Sequence, residues 1–433
     1  MVTTGIAGAC KWLTGNRAVM WLAVIVAGLA IHLLLWQFSE PPNIFNDFYK
    51  ANYAAAEFLW EEGLRARWPL TEPGGFSNLP ILAWICVPLV ALGEEPAAWT
   101  FLGFGLVATL GAWVLLTRLA QLDAPRAAGL LLLFLISGPL VNSLREGQSS
   151  HFILLLLVVG LLQWRAKRPY VAGICFGICA SFKLPLLLIG IYFVLRQRWR
   201  IVAGGATSMG AVALSSAAVF GIEGLVGWYQ DWVAPFLGAS IPAFNVQSIN
   251  GFLIRLTIDV ADLRDWEPRQ MSTGLRTVRM AASAVMFATA AWLIWRGDRS
   301  KAPLRAETSG ASPRDLTEFT LVLLLALITS PLSWTHYYVF LFIPWALWFG
   351  GQLPLPDDAT TRRLMIGSIL LVTLPIVVMS PMTPSWYASI LAKTTVSVWL
   401  FGALLLFVAL GRGLRQTAAI SPARESTVLE RVG

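Results

Sequence analysis

The chain has 433 residues, 57% of them hydrophobic and only 13% charged. A soluble globular domain carries about 25% charged residues, so this composition excludes that class and indicates a polytopic membrane protein, with the lipid bilayer as its first partner. The net charge of +8 would suggest nucleic acid only if the basic residues formed an exposed patch. They gather instead at the ends of apolar runs, as the positive-inside tendency describes, and no nucleic-acid partner is expected. The 20 Trp and 23 Phe suit the aromatic belts of many spans.

Lys11 and Arg17 precede the first apolar run, which has no small-residue cleavage site. That pattern reads as a retained signal-anchor with a cytoplasmic N-terminus. A crossing takes about 20 apolar residues. Candidate spans are 18–38, 97–117, 127–141, 151–165, 201–220, 279–295, 316–330, 337–350, 363–380 and 389–410. Residues 79–93 are few for a full crossing and read as either a steep, short helix or a partly re-entrant one. Residues 169–195 are interrupted by Lys183 and Pro185 and are either one span or two half-helices. The expected fold is an all-α polytopic bundle of about 11–13 transmembrane helices. Residues 1–411 would form one transmembrane catalytic domain, followed by a polar cytoplasmic tail, 412–433.

The basic clusters at 165–168, 196–200 and 296–314 belong on the cytoplasmic side. Asn142 to Ser150, residues 221–278, Ser330 to Tyr337 and the loop around Asp47 then face the other side. Two outer loops are long, 39–78 and 221–278, a length often associated with function. The first mixes Tyr49, Tyr53, Phe58, Trp60, Glu61 and Glu62, as an interfacial helix would. Residues 299–314 are polar and expected to be loose. No internal repeat supports an inverted-repeat transporter.

Ionisable groups within a membrane protein are costly and by default mark a site. Asp47 is either a general base or the N-cap of an interfacial helix over 48–60. Arg145, Glu146 and Gln148, with Asn142 nearby, either bond sugar hydroxyls or form an ordinary polar turn. Lys183, before Pro185, sits where a helix must break and suits a phosphate oxygen or a carboxylate. Gln247 and Asn250 suit hydroxyl recognition, and Arg255 a phosphate. Asp231 is a weaker candidate among interfacial aromatic residues. His336, between two spans, either serves a phosphate or a proton transfer or is structural; His32 and His151 read as structural. Cys10, Cys86, Cys175 and Cys179 make no metal spacing, and the three histidines are too scattered for a zinc motif. No Rossmann fingerprint, Walker loop or paired-carboxylate motif is present; neither metal nor cofactor is expected.

In chain order these segments resemble glycosyltransferase family 87, the polyprenol-phosphate-mannose-dependent mannosyltransferases of the C-type superfamily. The pieces that match are Asp47-Phe48 with the following Tyr and Ala run, Glu146-Gly147-Gln148, Lys183-Leu184-Pro185, Asn250-Gly251 with Arg255, and Ser330 to His336. The pattern is departed from at Ser149 and Ser150, where an asparagine is expected. The resemblance implies a C-type glycosyltransferase-like bundle with Asp47 as catalytic aspartate in the first outer loop and His336 assisting at the donor. Tyr49, Asn142, Arg145, Glu146, Gln148, Lys183, Gln247, Asn250, Arg255 and Trp334 would bind substrate. It also implies a polyprenyl-phosphate sugar donor, mannose by family, and a glycolipid or glycan acceptor. Transfer would be inverting, in the cell (inner or plasma) membrane with the site on the periplasmic side. The rivals are a lipid or sugar-lipid flippase and a non-catalytic membrane assembly protein.

Overall fold

The computed structural model describes residues 17–38, 44–63, 78–234, 238–296, 310–376, 378 and 385–429. The expected signal-anchor flank, residues 1–16, and residues 39–43 and 64–77 of the first long loop lie outside them.

The longest helices are α1 Arg17–Phe38, α4 Glu94–Ala120, α10 Trp199–Trp228, which is kinked at Gly221, α12 Thr273–Arg296 and α17 Val398–Leu429. Where proline or glycine interrupts, helices are shorter. α5 Ala124–Leu135 and α6 Gly138–Arg145 are bent by 53° at a break before Pro139. α8 Pro169–Phe182 and α9 Leu187–Leu195 flank Lys183, whose backbone leaves the helical region before Pro185. The remaining helices are α2 Ala54–Glu61, α3 Val87–Val90, α7 Ser150–Arg165, α11 Ile249–Arg255, α13 Pro313–Thr329, α14 Phe342–Phe349, α15 Ala359–Thr373 and α16 Trp386–Thr395. A two-residue antiparallel pair, β1 Ala239–Ser240 with β2 Arg269–Gln270, closes the second long loop.

Among the described residues four helices are long and apolar enough to cross a membrane alone, and up to five with the bent α5–α6 pair. Apart from α1, which has 22 residues, the other apolar runs counted as full spans in the sequence are helices of 17 residues or fewer. The expected span 389–410 is two helices, α16 and α17, and 337–350 begins as the 3-10 helix Thr335–Leu341. Residues 79–93 form a 3-10 turn, Pro80–Ile85, and α3, too short to cross. The polar tail expected from 412 continues α17 to Leu429.

α13 lies at the centre. Its residues from Asp315 to Ile328 are all buried, as a helix apolar on every side must be. Its two charges are matched. Glu318 pairs with Arg314 at 2.8 Å and Arg196 at 3.2 Å, and accepts from Tyr192 at 3.1 Å. Asp315 pairs with Arg198 at 3.6 Å and closes a capping box with Ser312. At the same end Arg165 bonds Leu119 O and Gln352, and Arg412 pairs with Asp358. One end of the bundle is thus tied by arginines, while the start of α7 and the end of α13 lie at the other.

α8 and α10 approach backbone to backbone because their facing positions are glycine. A Cβ on Gly173 would lie 2.0 Å from Ile201 O, and one on Gly204 would lie 2.1 Å from Tyr170 O. Small residues are how membrane helices reach close van der Waals contact. Replacing Gly204 by Val should force the pair apart at a cost of about 1–3 kcal/mol. Thermal unfolding in detergent checks this, with Gly210→Val, which has open space, expected to leave the midpoint unchanged.

Candidate active site

The turn between α6 and α7 is built to hold another segment. Gly147 has φ +68°, and a Cβ there would lie 2.5 Å from Phe48 Cβ, so only glycine permits the approach. The carbonyls of Arg145 and Glu146 accept from Phe45 N (2.7 Å) and Phe48 N (3.0 Å). Gln148 Nε2 then donates to Asp47 Oδ2 at 2.6 Å. Phe45 and Phe48 are fully buried in a cluster with Ala55, Leu59, Ala97 and Phe220, which seats the segment from its other side.

Asp47 is not a helix cap: its backbone is already helical (φ −73°, ψ −30°) and its side chain makes no capping bond. The carboxylate points instead to Gln148. Burial raises its pKa, opposed by the Gln148 hydrogen bond and by the charges of Lys183 and Lys50. Glu146, also buried, is pushed up to about 8 by burial and by the Asp47 charge, against Arg145 and Lys50. Both carboxyl groups of this partly dry site are thus pushed above the ordinary carboxylate range, burial being the largest cause for each.

Lys183 joins them from the α8–α9 break. It is 6% exposed, its ammonium lies 4.8 Å from the centre of the Tyr337 ring, and it makes no ion pair among the described residues. A cation over an aromatic face is stabilised, yet a buried ammonium without a counter-ion still favours an arriving anion. The Tyr337 ring stands edge-on to His336 at 4.8 Å. His336 is 5% exposed, with Nδ1 2.6 Å from Ser150 Oγ at the start of α7. Asn142 donates to Thr335 Oγ1 at 2.6 Å, tying α6 to the histidine segment. Tyr49 stays partly exposed beside Phe45 and Phe48. Asp47, Tyr49, Asn142, Arg145, Glu146, Gln148, Lys183 and His336 thus belong to one neighbourhood.

Four expected ligands bond elsewhere. Arg255 is 0% exposed and spends its guanidinium on Ala243 O, Val246 O and Ser397 Oγ. Gln247 donates to Phe244 O and Val396 O and accepts from Leu400 N. Asn250 bonds Ser240, Pro331 O and Arg279. Trp334 pairs with Val246 as an isolated bridge. In the structure these groups fasten the second long loop to the segment before His336, together with Gln247 N to Ser333 O and Thr335 N to Asn245 O. Nothing in the sequence separates the two roles, because amides and guanidinium suit backbone carbonyls as well as hydroxyls and phosphates. Asp231 lies in the π-helical turn Tyr229–Val233. His151 is fully buried against Gly105 with Nδ1 3.0 Å from Ser143 Oγ, and His32 bonds Leu135 O; both are packing residues.

Tyr337 and Ser150 were passed over in the sequence. Adjacency to His336 was the one available signal for Tyr337; for Ser150 it was the departure from the family pattern. Among the described residues no cluster of His, Cys, Asp and Glu could hold a metal ion.

The family model described as glycosyltransferase family 87 matches residues 76–312, a stretch holding Glu146, Gln148 and Lys183 but neither Asp47 nor His336. The chain is 26% identical over 369 residues to the polyprenol-phosphate-mannose-dependent alpha-(1-2)-phosphatidylinositol mannoside mannosyltransferase of Mycobacterium tuberculosis, covering 75% of each. It is 28% identical over 285 residues to the corresponding phosphatidylinositol pentamannoside mannosyltransferase of Mycolicibacterium smegmatis, covering 64% of this chain and 61% of that protein. Among solved structures it is similar to ArnT from Cupriavidus metallidurans in the apo state, with TM-score 0.42 and 13% identity over 94% of this chain and 78% of ArnT. The undecaprenyl-phosphate-bound form gives 0.39 and 12%, over 93% and 78%.

The reading of Arg255 has a direct consequence. Arg255→Ala should destabilise the fold by about 3 kcal/mol, because it leaves buried carbonyls unpaired. Lys183→Ala should keep its unfolding midpoint. Thermal unfolding of both variants checks this; a fully stable Arg255→Ala protein with only a raised KM would restore the ligand role.

Proposed function

The chain belongs to glycosyltransferase family 87, and from that premise we propose that it moves mannose from a polyprenyl-phosphate donor to a glycolipid or glycan acceptor. The observation that carries the reading is the meeting of Asp47, held by Gln148, with the charge of Lys183 and with His336 across Tyr337. The donor class and the sugar are those in the names of the two mycobacterial relatives. Family membership favours a transferase over a flippase, which needs no base beside an acceptor. Residues up to 411 are read as one catalytic unit.

In the proposed reaction Asp47 takes the proton of the acceptor hydroxyl. The acceptor oxygen forms a bond to the anomeric carbon as the bond from that carbon to the phosphate oxygen breaks. The electron pair leaves with polyprenyl phosphate, so the anomeric centre inverts, by analogy with inverting glycosidases. Lys183 and His336 stabilise the charge on the departing phosphate. Glu146, neutral at pH 7, donates a hydrogen bond to a sugar hydroxyl, with Asn142, Arg145, Gln148 and Tyr49 as further contacts. The arginines Arg165, Arg196, Arg198, Arg314 and Arg412 gather at the opposite end of the helices. By the positive-inside tendency this supports reading the reaction as periplasmic, in the cell membrane.

Purified protein given polyprenyl-phosphate-mannose and a phosphatidylinositol mannoside should transfer labelled sugar. Asp47→Asn should lower the rate about 10²–10⁴-fold, the usual worth of a positioned base. Undiminished transfer by that variant would remove the base role, and lipid scrambling without transfer would favour the flippase.

A second outcome follows from acidity. The base form of Asp47 exists above its pKa, so kcat/KM should fall as pH drops through a value above the ordinary carboxylate range. The Gln148 hydrogen bond stabilises the carboxylate, so Gln148→Leu should move that acid limb to higher pH. A pH–rate profile of both proteins measures it; an unmoved limb would separate Gln148 from the titrating group.

A further inference from the structure

Ser150 Oγ lies 2.6 Å from His336 Nδ1, and Ser150 is 0% exposed. The serine is placed by the start of α7, one residue after Ser149 and three after the Gly147 turn that seats the Asp47 segment. Either partner can supply the proton of this hydrogen bond: a serine hydroxyl both donates and accepts, and a neutral imidazole carries one N–H on either nitrogen.

Counting hydrogen bonds decides between them. Among the described residues Nδ1 of His336 is the one partner of Ser150 Oγ. If the imidazole donated from Nδ1, the serine hydrogen would be buried with no acceptor, which native interiors avoid. With the hydroxyl donating to Nδ1, both groups are satisfied and the imidazole proton is on Nε2. Electrostatics points the same way. Lys183 and His336 flank the same Tyr337 ring, each 4.8 Å from its centroid. A neutral ring with one outward N–H therefore adds a donor without adding charge repulsion.

We infer that Ser150 is a positioning residue: its hydroxyl, donated to Nδ1, holds His336 as the neutral tautomer that presents Nε2–H to the leaving phosphate. The inference rests on the role proposed above for His336.

The test is a double-mutant cycle on full-length protein in detergent, with polyprenyl-phosphate-mannose as donor and thermal unfolding run alongside. His336→Ala should lower kcat about 100-fold, the usual cost of one transition-state donor. Ser150→Ala should lower it about tenfold, the worth of a single hydrogen bond, while leaving KM and the unfolding midpoint near wild type. Ser150→Thr, which keeps the hydroxyl, should restore most of the loss. In the His336→Ala background Ser150→Ala should cost less than about twofold, since its effect passes through the imidazole. An equal loss in both backgrounds, or a folded Ser150→Thr protein as slow as Ser150→Ala, would overturn the inference and leave Ser150 a packing residue. Undiminished kcat in His336→Ala would instead overturn the role of the histidine itself.

Discussion

The hydrogen-bonded clasp between the turn at residues 145–148 and the segment at 45–49 is the constraint on which the site depends. Two carbonyls, one side-chain amide and one glycine fix the position of a carboxylate about one hundred residues earlier in the chain. Without it, Asp47 would sit on an interfacial segment whose own helix gives it no fixed direction. With it, the carboxylate is held by the same turn that leads into α7, and α7 begins with the serine that meets His336. One short connection thereby sets the distance relations among groups from three separate parts of the sequence.

The buried charges fall into two populations. At one end of the bundle Glu318, Asp315, Arg196, Arg198 and Arg314 are matched to one another. Pairs of this kind hold α13 in register, and removing one partner is costly because the other is left buried. At the other end Lys183 rests on an aromatic ring without an ion pair among the described residues, and Glu146 is raised toward neutrality. Matched charges fasten the helices. Charges that make no ion pair among the described residues can still meet substrate, as enzyme sites require.

Much of this was legible in the sequence, and the reason is composition. Asp47, Glu146, Gln148, Lys183 and His336 are polar groups in a strongly apolar chain, so each stood out against its surroundings. The break at Lys183 was visible in Pro185, which cannot continue a helix from a hydrogen-bonded interior position. Arg255, Gln247 and Asn250 stood out for the same reason, but their bonds to backbone carbonyls were not legible, because burial against carbonyls leaves no trace in residue type. The lengths of individual helices were less legible. Hydropathy measures a run's total apolar length, whereas prolines and glycines at 138–139, 185 and 344 divide that length into shorter helices whose bends appear only in three dimensions.

The central claim is that Asp47, Lys183 and His336 serve one lipid-linked substrate. A cryo-electron microscopy structure of the full-length protein with a polyprenyl-phosphate donor tests it most directly. The phosphate is expected within hydrogen-bonding distance of Lys183 Nζ and His336 Nε2, with the Asp47 carboxylate on the opposite face of the sugar. A headgroup seated among Arg165, Arg196 and Arg314 at the other end of the helices, with all three groups empty of ligand, would contradict it.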